Sequence, residues 1–148
     1  MKLNIIASNH GIPSSRLTTA IREYERFIYI LGLFKTEVYL PISDEIDEIW
    51  HLCILDTEEY KKTCHKICGR FIHHVPDNHI NKAQLSESKK MKDSIAWIRN
   101  YVKIFGCFTE ESLDFWPTVS QTIENLNCSL EIFNKYIINS LNGELDAL

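Results

Sequence analysis

Apolar residues fall at Leu17, Ala20, Ile21, Tyr24, Phe27, Ile28 and Leu31, in steps of three and four that line one face of a helix. Pro13-Ser14-Ser15 precedes them, so the spacing predicts an amphipathic helix with Ser14 or Ser15 as N-cap and its end near Gly32. Val38-Tyr39-Leu40-Pro41 reads as a short extended link, because Pro41 disfavours a helical Leu40. Ser43 is expected to cap a second helix whose apolar face is Ile46, Ile49, Trp50 and Cys53, with acids in its first turns where the helix dipole favours them. Asp56-Thr57-Glu58-Glu59 has the form of a capping box and starts a third helix running to about Cys68, with Gly69 ending it.

After Val75-Pro76-Asp77-Asn78 a polar loop leads into a helix bearing Met91, Ile95, Ile98, Val102 and Phe105, a heptad-like stripe expected to pack on another helix until Gly106 ends it. Thr109 opens a short turn stopped by Pro117. Val119, Ile123, Leu126, Leu130, Phe133 and Ile137 form a last stripe of the same kind. No segment alternates with period two between hairpin turns, so the fold class is all-α, an irregular bundle of five or six helices. The 148 residues, 45% of them hydrophobic, suit a single domain over residues 1–148. A chain of this length buries roughly two-thirds of its unfolded surface and needs neither metal nor disulfide to fold.

Charge sharpens the picture. The net charge of −4 speaks against a general nucleic-acid binder. Residues 41–60 hold seven acids and no base, 61–103 ten bases and three acids, and 104–148 seven acids and one base. The basic middle third is read first as a solvated surface and second as a contact for an acidic partner. The start of the chain has one positive residue and too short an apolar run for a secretory signal, and no stretch approaches a membrane span, so a cytoplasmic chain without membrane contact is expected. Five cysteines, an odd number, fit free thiols in a reducing compartment.

Most of the imidazole and thiol donors lie between Trp50-His51-Leu52-Cys53 and Phe71-Ile72-His73-His74-Val75-Pro76, with Tyr60, Cys64, His65 and Cys68 between. Such donors suit zinc or another transition metal, and His51, Cys53, Cys64, His73 and His74 are the candidate ligands. Spacing restricts the set: His51 and Cys53 stand about 200° apart on a continuous helix, so both ligate one ion only if the helix breaks. Hydrogen-bonded core histidines and thiols are favoured over the metal site, with Asp47 the natural partner of His51. A metal-free alternative makes Cys64 or Cys53 a nucleophile with His51 or His73 as base. His65, His10 and His79 read as surface residues, and Cys107 and Cys128 as packing residues. The run Asp44, Glu45, Asp47, Glu48 is most simply a solvated first turn. No nucleotide loop, hydrolase elbow or EF-hand is present.

Ile46-Asp47-Glu48-Ile49-Trp50-His51, Leu55-Asp56, Tyr60, Cys64, Gly69, Phe71, His73-His74 and Pro76 together resemble the W-H-x-H-x-L-D, Y-x-x-x-C and F-G-x-[FY]-x-H-H-x-P pattern of the glycine-rich domain-containing protein-like family. Tyr24-Glu25-Arg26-Phe27 and the helix from Ile98 to Gly106 extend the likeness to residues 14–110, onto which the C-terminal helix is expected to pack. Cys53 stands where that pattern has a second histidine, Cys68 replaces an aromatic, and the glycine-rich tail is absent from the sequence. The resemblance implies a fold neighbourhood and a candidate site, not a reaction. Two functions are carried forward: a His/Cys pocket from Trp50 to Pro76 that binds a transition metal, and a protein–protein interaction module in which these histidines are structural.

Overall fold

The apolar face from Leu17 to Leu31 forms helix α1, Ser14–Leu33, in a computed structural model that describes residues 11–35, 38, 40–74 and 86–145. The polar loop expected after Val75 lies outside the described residues, as do Pro76, His10 and His79. Six further helices follow: α2 Asp44–Leu55, α3 Thr57–Cys68, α4 Glu87–Phe105, α5 Glu110–Leu113, α6 Pro117–Asn125 and α7 Leu130–Leu145. The described residues contain no strand, and the fold is all-α.

Local chemistry sets most boundaries. Ser43 Oγ accepts from the Ile46 N–H at 3.3 Å and opens α2. Asp56, the single residue between α2 and α3, accepts from the Glu59 N–H at 3.2 Å. The start of α1 differs from expectation. Pro13 occupies the cap position with φ −56° and ψ 135°, and its carbonyl accepts from Arg16 and Leu17. The proline ring fixes the entry geometry, so both serines fall inside the first turn.

Two apolar stripes are shorter than their periodicity promised. On α4 the buried face is Trp97, Ile98, Tyr101 and Val102, whereas Met91 and Ile95 are exposed. The bonds from α4 to α1 and α7, Tyr101 to Glu23 and Arg99 to Ser140, come from its C-terminal half. The last stripe is broken between α6 and α7, where Asn127 turns left-handed at φ 47° and Ser129 Oγ accepts from Ile132 to start α7. Leu126, at the break, is exposed.

Helix α1 is the hub and touches α2, α3, α4 and α5, while α7 packs on α4. It meets α3 closely at Gly32, where a Cβ would lie 2.7 Å from Cys68 Cβ, so these two helices approach only because residue 32 has no side chain. The core holds a cluster of large rings. Trp97 and Trp116 lie 4.1 Å apart, and Tyr101 stacks on Phe108 at 4.1 Å.

Glu23 is 0% exposed within that cluster. Its Oε2 accepts from Tyr101 Oη at 2.8 Å and Trp116 Nε1 at 2.9 Å, and its Oε1 from Arg26 at 3.0 Å and Arg22 at 3.3 Å. Burial, then the Glu23 charge, pushes the Tyr101 hydroxyl up, so it stays a neutral donor. Every bond to this carboxylate is donated to it, the condition under which a buried charge is tolerated.

Candidate metal centre

Asp47 and His51 are four residues apart on α2, and that spacing puts them on one face, the outer one. Ile46, Ile49, Trp50 and Cys53 take the inner face. The His51 ring reaches back one turn: Nδ1 lies 2.8 Å from the Asp47 main-chain oxygen and 3.3 Å from Asp47 Oδ2. A carbonyl oxygen only accepts, so Nδ1 carries the proton and a neutral ring keeps its lone pair on Nε2.

The third member arrives from a different part of the chain. Gly69, left-handed at φ 72°, stops α3 and turns the chain back. Arg70 donates to the main-chain oxygens of Leu31 and Phe34 and so ties the returning segment to the end of α1. Ile72 is then buried, and the Tyr60 hydroxyl donates to its carbonyl at 2.8 Å while accepting from Trp50 Nε1 at 2.9 Å. Burial pushes the Tyr60 hydroxyl up and keeps it protonated for this double role.

The bridge delivers His74 to α2. Its ring packs against Trp50 at 4.3 Å and against His51 at 4.4 Å, and its Nε2 lies 3.1 Å from Asp47 Oδ1. Asp47, His51 and His74 each offer one donor atom within 4.8 Å of the others, and they are the group of three or more such donors found among the described residues. His74 is 11% exposed in its side chain, against 46% for Asp47 and 52% for His51, so the group has a walled side and an open one.

Tyr60→Phe removes the bridge and leaves the Trp50 N–H and the Ile72 carbonyl buried without that partner. The expected cost is about 1–3 kcal/mol. A urea titration is expected to show a lower midpoint with an unchanged slope.

The other sequence-predicted donors are placed elsewhere. Cys53 and Cys64 are buried. Burial pushes the Cys53 thiol up, which keeps it protonated and removes it as a nucleophile at neutral pH. His51 and Cys53 lie on opposite faces of an unbroken α2, as their spacing requires. His73 is exposed and packs edge-on against Phe71 at 4.9 Å. Cys107 is exposed and Cys128 half-buried, so Cys107 does not pack as expected. Asp47 was expected only as a hydrogen-bond partner. Its i,i+4 relation to His51 was the signal that it also offers a ligand oxygen.

No helix among the described residues is long and apolar enough to cross a membrane. No curated protein and no solved structure matches the chain. A family model described as UCP032817-like matches residues 4–136, and this match, not the resemblance to the glycine-rich domain-containing protein-like family, is the basis for classification. With most of its length covered, the chain belongs to the UCP032817-like family.

Proposed function

We propose that this protein binds a divalent transition metal ion, with zinc the simplest occupant, through Asp47, His51 and His74. The carrying observation is the convergence of these three donors within 4.8 Å. Zinc bonds to imidazole nitrogen and carboxylate oxygen are about 2.0–2.2 Å long, which in a tetrahedral site puts two neighbouring ligands of one ion roughly 3.3–3.6 Å apart. His74 Nε2 and Asp47 Oδ1 stand at 3.1 Å, a few tenths of an ångström short of that separation. The ion takes the place of the proton they share, with His51 as the third donor within 4.8 Å. Its Nδ1–H bond to the Asp47 carbonyl is the outer-sphere contact that orients a ligating imidazole.

Of the donors expected from sequence, this proposal retains His51 and His74, adds Asp47, and leaves Cys53, Cys64 and His73 outside the ion's reach. The resemblance of the W-H and H-H segments to the glycine-rich domain-containing protein-like family belongs to the same reading. So do a single working domain over residues 1–148 and a cytoplasmic setting, which the five free cysteines favour.

A ligand that binds only the folded chain raises its melting temperature. Zinc is expected to raise the melting temperature of the wild type and to leave that of Asp47→Asn where it was. Equal shifts in both proteins contradict the proposal.

One surface favours a second role as an interaction module. Ile132 and Tyr136, one turn apart on α7, are 60% and 70% exposed. Light scattering over a concentration series reads whether a second copy of the chain covers this face. A strict monomer removes the self-association version.

A further inference from the structure

We infer that the ion held by Asp47, His51 and His74 keeps coordination positions open to solvent and takes a small monoanion there, of the carboxylate kind. This inference rests on the metal proposal above.

The geometry of the donors carries it. Asp47 and His51 project from the outer face of α2, and His74 comes from the segment beside it. Among the described residues Trp50 walls the His74 side, and about half of the Asp47 and His51 side-chain surface faces water. Structural zinc is closed by four protein ligands, whereas three ligands and a water describe an ion that exchanges its fourth partner. The group among the described residues supplies three.

Charge then selects the ligand. Two neutral imidazoles and one carboxylate leave a divalent ion with a net charge of about +1, which favours an anion over a neutral donor. Asp44 stands on the same helix within one turn of Asp47, and its field opposes multiply charged anions. Glu45 adds little to that field because Arg16 holds it at 2.9 Å. A singly charged ligand satisfies both constraints, and phosphate does not.

The experiment uses the full chain loaded with cobalt(II), a spectroscopic substitute for zinc, with Asp47→Asn as the control that should lose the cobalt spectrum. Azide is expected to shift the visible bands to saturation, acetate to compete with azide, and phosphate to act more weakly than acetate. Bound cobalt whose spectrum ignores azide overturns the open site while leaving the metal proposal intact. A phosphate response stronger than that of acetate overturns the charge selection. No cobalt uptake overturns the metal proposal and this inference with it.

Discussion

Glu23→Ala is expected to remove a large part of the folding stability of this protein. The wild-type carboxylate accepts four hydrogen bonds in the ring cluster between α1, α4 and the start of α6. Alanine leaves Trp116 Nε1 and the Tyr101 hydroxyl facing a void beside Arg26, whose guanidinium loses its counter-charge. Breaking a buried ion pair by removing one partner costs about 3–5 kcal/mol. The whole stability of a domain is about 5–15 kcal/mol. Glu23→Gln is expected to fail in the same direction despite its shape, because its NH₂ meets either the Arg22 and Arg26 guanidinium groups or the Trp116 N–H, none of which can accept. Urea unfolding followed by tryptophan fluorescence checks both variants. A Glu23→Gln midpoint equal to wild type contradicts this account of the core.

The second large effect is on metal affinity. His74→Ala removes the least exposed of the three donors and leaves Asp47 and His51 as a two-point chelate on one helix. Loss of an outer-sphere partner alone typically weakens metal binding about 10–100-fold, and loss of a ligand exceeds that. Zinc affinity measured by competition with a chromogenic chelator is expected to fall at least about 100-fold. His73→Ala, one residue away, is expected to change it little, because His73 packs on Phe71 outside the donor group. Equal losses from the two alanine variants contradict the assignment of His74. Tyr60→Phe gives an independent check, since it loosens the segment that carries His74 without touching a donor.

Much of this was legible in the sequence because it is local. Ser43, Asp56, Gly69 and Gly106 end or begin helices through bonds within a few residues. The Asp47 to His51 spacing fixes a shared face whatever the tertiary fold. Direction was not legible from donor type. Cys53 and Cys64 are metal ligands by chemistry and core residues by helix phase, and phase decided. The Met91 and Ile95 positions keep a helical period, yet periodicity cannot say where a partner helix stops.

Glu23 too leaves a trace in the sequence. It lies three residues after Ala20 and four before Phe27, so the α1 pattern itself sets an acid on the buried face. Only the tertiary fold reveals the partners that make it tolerable, Tyr101 and Trp116, which are 78 and 93 residues away. His74 reaches Asp47 across 27 residues through the Trp50–Tyr60–Ile72 bridge, and a long-range bridge of that kind has no sequence signature.

The most direct test of the metal centre is elemental analysis of untagged protein prepared without chelator, beside an Asp47→Asn, His74→Ala double variant shown by circular dichroism to be folded. The account predicts close to one transition metal ion per wild-type chain and none in the variant. Wild-type protein that carries no metal and takes up none on dialysis against zinc would contradict it, and would leave Asp47, His51 and His74 as a hydrogen-bonded clasp between α2 and the segment that follows α3.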